Sequence, residues 1–212
     1  MSEALRLVAQ KITDAEKILL TCHRGPDGDS VGSLVALASL LKEHGKTVVL
    51  YNPDLVPRYL KWLPHAKRFV QQLKKKARFD LTIVVDCGDA KLLGDKFPEP
   101  EVTGEIVALD HHGSGRPFGD IFISEPSVAA VGVMIAQLAE ILEWPLTPEA
   151  AQGIYVSIVT DTGGFRYANT NAQVLRLAAD LVERNGVDPA SLGERLSQDS
   201  SRARYRLLSK VL

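Results

Sequence analysis

The sequence predicts an α/β protein, a doubly wound and mainly parallel sheet flanked by helices. Three observations carry this prediction. Segments of strand and helix character alternate along the chain. Val84-Val85 and Val107–Leu109 lie in runs that are apolar at successive positions rather than alternating ones, as in parallel strands covered on both faces. Three hydrophobic runs, Lys17–Cys22, Leu81–Val85 and Glu105–Leu109, each stop at a His or Asp: His23, Asp86 and Asp110. Ligands in this architecture bind outside the carboxyl ends of the strands, so these runs describe one pocket built from distant segments.

The elements follow in order. Ser2 to Ile12 carries Leu5, Val8 and Ile12 at helical spacing behind a Ser2 cap, and a strand follows at Ile18 to Cys22. Ser30 to His44 is apolar at Val31, Leu34, Val35, Leu37, Ala38 and Leu41 and is stopped by Gly45; Thr47 to Tyr51 is the next strand. Between residues 53 and 79, Pro57, Trp62, Pro64 and the run Lys74-Lys75-Lys76-Ala77-Arg78 predict a short helix, a turn and a solvated helix. The strands ending at Val85 and Leu109 come next, then a glycine-rich loop with Gly113, Gly115 and Gly119, and a short strand from Ile121 to Ser124. Helices are expected over Val128–Leu142, Pro148–Thr160 and Asn171–Asn185, the last ended by Gly186, and from about Pro189 to Leu212, with Leu207, Leu208 and Val211 near the end. No internal repeat or low-complexity linker interrupts them.

Composition narrows the function classes. At 212 residues and 45% hydrophobic content the chain can bury a sizeable core. A formal net charge of -1 provides no field to attract a long polyanion, so a nucleic-acid substrate should be short and long duplexes are excluded. Two cysteines make no disulfide framework, the N-terminus lacks a signal-peptide pattern, and the longest apolar stretch, Val128 to Ala136, is too short for a bilayer. The expectation is a cytoplasmic protein without a membrane partner, with room for a homodimer.

The pocket residues have a chemistry. His23-x3-Asp27-x-Asp29 follows a strand end, with Gly25-Pro26 turning the chain and Gly28 letting it bend between two carboxylates. A helix beginning near Ser30 would point its free N–H groups and positive dipole end at the same spot, favouring a phosphate. Gly32 and Ser33 keep that end small, and Ser33 is a candidate substrate contact. A single Asp after a strand is usually a cap or turn residue, and Asp80, Asp89, Asp95 and Asp120 are read that way. His44 is explained by its place at a helix end, and His65 is given no role. Cys22 and Cys87 are read as small apolar residues at buried strand ends, with redox sensitivity as the alternative. Seven groups converging on one sheet edge (His23, Asp27, Asp29, Asp86, Asp110, His111 and His112) exceed what capping explains. Their mutual repulsion would be resolved by divalent cations.

His23-Arg-Gly-Pro-Asp27-Gly-Asp29-Ser-Val-Gly32-Ser33, Val85-Asp86-Cys-Gly88, Asp110-His111-His112 and Thr160-Asp161-Thr162-Gly163-Gly-Phe165-Arg166-Tyr167 resemble, in order, the four motifs of the DHH phosphoesterase superfamily. The resemblance is strongest to its NrnA-like branch, which acts on very short RNAs and 3'-phosphoadenosine 5'-phosphate. It implies a hydrolase with two Mn²⁺ ions, Mg²⁺ or Co²⁺ being substitutes. One ion would be held by His23, Asp27 and Asp86, the other by Asp29, Asp86, His111 and Asp161, with Asp86 bridging. Asp110 would orient His111 or its neighbours from behind. His112 would contact the phosphate or protonate the leaving oxygen; adjacent side chains of an extended chain point opposite ways, so both histidines would rarely reach one ion. Arg166 would neutralise a phosphate oxygen, a surface salt bridge being the alternative.

The resemblance also predicts a domain plan: residues 1–188 as the DHH catalytic domain, and 189–212 as a connector helix toward a second, glycine-rich substrate-binding domain that this chain lacks. Ser124–Ala130 lacks the Ser-Ser-Thr run of many relatives, which bears on local substrate contacts. Other readings within the superfamily are an inorganic pyrophosphatase or a cyclic-dinucleotide phosphodiesterase. A non-catalytic, metal-dependent nucleotide-binding module is the reading from another class.

Overall fold

The computed structural model describes residues 3–197 and 209–210. Five strands, β1 (Lys17–Cys22), β2 (Thr47–Leu50), β3 (Leu81–Val85), β4 (Glu105–Asp110) and β5 (Ile121–Ser124), form one sheet in the order β2-β1-β3-β4-β5. Every neighbouring pair is parallel. The chain winds from β1 out to β2, returns to pair β3 with β1, and continues the other way. The direction of winding therefore reverses between β1 and β3, and the crevice at such a switch point is where open parallel sheets place ligands.

Helices α1 (Glu3–Asp14), α2 (Gly28–Glu43), α3 (Pro100–Thr103), α4 (Val131–Ile141), α5 (Pro148–Asp161), α6 (Ala172–Asn185) and α7 (Pro189–Ser197) complete the described elements. Side chains of successive strand residues go to opposite faces. Ile18, Leu20 and Cys22, with Leu81, Ile83, Val85, Val107 and Leu109, join α1, α2, α4 and α5 in the main core. Val84 and Ala108 instead meet Cys87 and Leu93 in a smaller core flanked by Phe97, Phe118 and Phe122. The long helices thus cover one face, while the connections after β3 and β4 cover the other.

Helix α2 is buried nearly all round, and α5 crosses it at very short range. A Cβ on Gly32 would lie 2.5 Å from the Gly153 carbonyl oxygen, and one on Gly153 would lie 2.5 Å from the Gly32 oxygen. Only hydrogen at both positions permits this approach. It matters because α2 begins and α5 ends at the pocket.

Several boundaries differ from expectation. Between β2 and β3 there is no α-helix: Arg58–Leu60 and Ala66–Arg68 are single 3₁₀ turns, and Lys74 to Ala77 is a turn closed by the Ala77 N–H on the Lys74 oxygen at 2.9 Å. Prolines at 57 and 64 interrupt any longer helix, and three adjacent lysines supply no apolar face for tertiary packing to stabilise one. Helix α2 starts two residues earlier than predicted, because Asp27 caps it. Helix α6 ends as expected at Gly186, whose φ of 68° is the left-handed conformation of a helix stop. In α7, Leu192 is buried and the Arg195 guanidinium lies 5.2 Å over the Trp62 ring. The Ser2 cap, Leu207, Leu208, Val211 and the predicted helix end at Leu212 lie outside the described residues. No helix among the described residues is long and apolar enough to cross a membrane.

Candidate metal centre

The pocket forms where β1, β3 and β4 end. His23 follows β1, Asp27 caps α2, Asp29 lies in the first turn of α2, Asp86 follows β3, Asp110 ends β4, His111 and His112 follow it, and Asp161 ends α5. Asp86 adopts φ 55°, a left-handed conformation uncommon for a residue with a side chain. Its N–H donates to the Leu109 oxygen at 2.8 Å, so β4 holds this turn in place.

Two imidazole nitrogens sit among the carboxylates at distances beyond a good hydrogen bond. His111 Nε2 is 3.4 Å from Asp29 Oδ2, 3.7 Å from Asp161 Oδ2 and 3.8 Å from Asp86 Oδ1. His23 Nε2 is 3.3 Å from Asp86 Oδ2 and 3.9 Å from Asp27 Oδ1. His111 Nε2 and Asp86 Oδ1 are buried and have no hydrogen-bond partner. Buried polar atoms are seldom left so, and unpaired ones need a ligand to account for them. Three sets of donors lie within 4.8 Å of one another: His23, Asp27 and Asp86; Asp29, His111 and Asp161; and Asp86, His111 and His112. Nitrogen and carboxylate oxygen donors without thiolate suit a divalent cation such as Mn²⁺ or Mg²⁺. The residues present therefore fit a divalent cation, with Asp86 and His111 each belonging to two of the overlapping sets.

The electrostatics agree with that fit. Burial drives the Asp29 carboxyl well above the usual range, and the neighbouring Asp86 adds to the effect despite hydrogen bonds from Ser157 and the Val131 N–H. Asp161 is likewise raised by burial, against the opposing pull of His111. Burial disfavours the charged His23 ring, yet the nearby Asp27 and Asp86 carboxylates prevail and lift it to about 10. Burial also works against the charged form of Asp27, but His23 and the Ser30 N–H hold it down at about 2. Without a cation, protons supply the missing positive charge. Burial pushes the Cys87 thiol up to about 12 and raises Cys22 as well, so neither buried cysteine is set up as a thiolate.

His112 has a different role from His111. Its Nδ1 is 2.8 Å from Asp110 Oδ1, and its N–H donates to Asp110 Oδ2 at 3.3 Å. Asp110 is fully buried, and it is His112 rather than His111 that it grips. The Asp110 hydrogen bond raises the His112 imidazole to about 9 against the lowering effect of burial. The expectation that adjacent side chains diverge is corrected: the two histidine rings lie with centroids 4.7 Å apart, since both follow the last residue of β4 and escape strand alternation.

The first turn of α2 is capped from within: Asp27 Oδ1 accepts the Ser30 N–H at 3.0 Å and Ser30 Oγ accepts the Asp27 N–H at 2.9 Å. Ser33 is fully buried and donates to Asp29 Oδ1 at 3.1 Å. Arg166 is exposed, does not line the cleft, and donates its Nε to the Gly163 oxygen at 2.6 Å within its own loop.

Other residues that shape the site carry no motif. Ser157 Oγ donates to Asp29 Oδ1 at 2.6 Å and accepts the Gly132 N–H at 2.9 Å. Asp29 Oδ2 accepts the Val131 N–H at 2.9 Å, so this carboxylate from α2 caps the start of α4, where Ala130 has no capping side chain. Asn169 donates to Asp161 Oδ2 at 3.1 Å, and Asn52 to the His23 oxygen at 2.9 Å. The spacings Gly28-x3-Gly32 and Gly153-x3-Ser157 were the available signal, since small residues four apart on a helix mark a close crossing. The open cleft above the cluster has a volume of about 370 Å³ and is lined by His23, Asp27, Asp86, His112 and Asp161 on its ionic side, with Leu92 and Ser114 also facing it.

Residues 17–158 match the DHH family, N-terminal domain. The chain belongs to the DHH family. It is 34% identical over 99% of its length to the bifunctional oligoribonuclease and PAP phosphatase NrnA of Thermus thermophilus, and 29% identical over 79% to the protein of the same name from Bacillus subtilis. It spans 63% and 53% of those two relatives. Among solved structures it superposes on an exopolyphosphatase-related protein from Bacteroides fragilis with a TM-score of 0.89, at 24% identity, over all of this chain and 66% of that one. That likeness shows the same α/β fold.

Proposed function

We propose that this chain carries the metal centre of a phosphoesterase that hydrolyses short oligoribonucleotides and 3'-phosphoadenosine 5'-phosphate. The observation that carries the reading is the overlap of three donor sets, two sharing Asp86 and two sharing His111, with Asp86 Oδ1 and His111 Nε2 buried and unpartnered where they meet. The names of the Thermus and Bacillus relatives support the substrate class.

His23, Asp27 and Asp86 would hold one cation; Asp29, Asp86, His111 and Asp161 would hold the other. Mn²⁺ is the preferred ion for this donor set, with Mg²⁺ or Co²⁺ able to replace it. Bound there, the cations supply a water of lowered pKa and neutralise charge on the phosphoryl group.

The chain's own residues do the rest. The His23 Nδ1 hydrogen bond to the Arg24 oxygen at 2.8 Å leaves Nε2 turned toward the carboxylates. Asp110 keeps His112 oriented and protonated, so that its Nε2 serves as the proton donor to the departing oxygen, a contribution of order 10²–10⁴-fold. Ser157, Ser33 and Asn169 fix the two carboxylates that come from helices.

A panel of three substrates in Mn²⁺ tests the reading: a diribonucleotide, 3'-phosphoadenosine 5'-phosphate and inorganic pyrophosphate. Hydrolysis of the first two, abolished by chelation and restored by Mn²⁺, is expected. Turnover of pyrophosphate alone would move the assignment to the pyrophosphatases. Binding without turnover of any of the three would make the chain a nucleotide-binding module.

A further inference from the structure

Among the residues lining the cleft, Leu92 has no part in ion or proton chemistry. Its side chain is 52% exposed. Single exposed leucines are ordinary on a protein surface. This one is held in place inside the cleft: its N–H donates to the Asp89 oxygen at 2.9 Å, and its oxygen accepts the Arg24 N–H at 2.8 Å. Asp89 Oδ1 also accepts the Lys91 N–H at 2.9 Å, closing the turn Ala90–Leu93. Leu93 enters the smaller core and Leu92 is left facing the cleft.

The same wall includes Ser114, whose hydroxyl makes no hydrogen bond among the described residues. The loop that carries it is fastened to the loop after β3: the Arg116 N–H donates to the Gly88 oxygen at 2.7 Å, and a Cβ on Gly115 would lie 2.4 Å from that oxygen. No lysine or arginine lines the cleft. Beside the Asp89 carboxylate, whose Oδ1 is held by the Lys91 N–H, the wall therefore provides apolar surface and a neutral hydroxyl, with no lysine or arginine of its own.

We infer that Leu92 and Ser114 form a nucleoside subsite, with Leu92 packing on the sugar or base attached to the reacting phosphate and Ser114 Oγ bonding its polar edge. This rests on the phosphoesterase reading and assigns the residues that would hold the nucleoside beside the reacting phosphate. Inorganic pyrophosphate presents no apolar surface for a leucine to cover, whereas a nucleoside does, and burying that surface favours binding.

The test compares adenosine monophosphate with inorganic phosphate as ligands of the Mn²⁺-loaded chain, by calorimetry. Wild type should bind the nucleotide more tightly than phosphate. Leu92→Ala should weaken the nucleotide about tenfold and leave phosphate within about twofold, with Ser114→Ala changing the same ligand less. Both side chains are exposed, so an unchanged melting temperature is the control for folding. Equal wild-type affinity for the two ligands, an unchanged nucleotide affinity in Leu92→Ala, or equal weakening of both ligands overturns the subsite. Turnover of the diribonucleotide is read separately. Its absence, with the ligand preference intact, would refute the phosphoesterase reading and leave the subsite standing.

Discussion

Ser157 Oγ donates to Asp29 Oδ1 at 2.6 Å, joining the middle of α5 to the first turn of α2 across 128 residues of sequence. The same hydroxyl accepts the Gly132 N–H at the start of α4. One buried side chain thus locks three helices around a carboxylate of the candidate metal centre.

Ser157→Ala should cost about 1–3 kcal/mol, because it leaves the Gly132 N–H buried without an acceptor and removes one donor from Asp29. Urea unfolding measures the loss, and Mn²⁺ titration should show weakened binding of one ion. A variant as stable as wild type would mean that the α2–α5 junction does not depend on this bond.

Gly32→Ala should destabilise by about 1–3 kcal/mol or prevent folding, since its methyl group would meet the Gly153 oxygen at 2.5 Å, a backbone atom that cannot swing aside. Gly193→Ala in α7, where nothing lies within 4 Å, is the control and should be neutral or stabilising by up to about 1 kcal/mol. Similar melting temperatures for the two variants would contradict the close crossing.

Cation binding should release protons and tighten as pH rises. His23 is raised to about 10 without a cation, so it holds a proton that the ion must displace, and the upward shifts of Asp29 and Asp161 act in the same direction. Asp27, held at about 2, is already ionised and contributes nothing at neutral pH. Calorimetry in buffers of different ionisation enthalpy counts the protons, and a pH-independent affinity between 6 and 9 would be incompatible with this site. Asp86→Ala should weaken both ions, and Asp29→Ala mainly one.

Asp110→Asn should lower the hydrolytic rate while keeping the ions, because the amide no longer favours a protonated His112. A proton donor loses activity as pH rises through its pKa. The alkaline limb of the rate profile should therefore move to lower pH in the variant. His112→Ala should remove the limb, and the double variant should be no slower than His112→Ala alone. Additive losses would separate the two residues.

The glycines at 28, 32 and 153 show why part of the site stayed illegible. They are visible as letters, and their four-residue spacing hints at close packing, but a hint of proximity does not say which helices meet. The solvated helix expected near Lys74 failed for a related reason. Composition recorded polarity, while helix formation needs an apolar face to bury, and the turn there has none.

The sequence by itself determined the parallel α/β class and the convergence of His23, Asp27, Asp29, Asp86, Asp110, His111 and His112, because strand periodicity and local spacing are properties of neighbouring residues; Asp161 was reached only through the resemblance to the family's motifs. The tertiary structure decided that Asp110 bonds His112, that Ser33 and Ser157 both hold Asp29, and that Leu92 faces the cleft while Leu93 enters the core. Those outcomes depend on which buried donors find which acceptors when helices from opposite ends of the chain pack together. Each hydrogen bond is set by tenths of an ångström in that packing, a quantity that no local pattern of residues encodes.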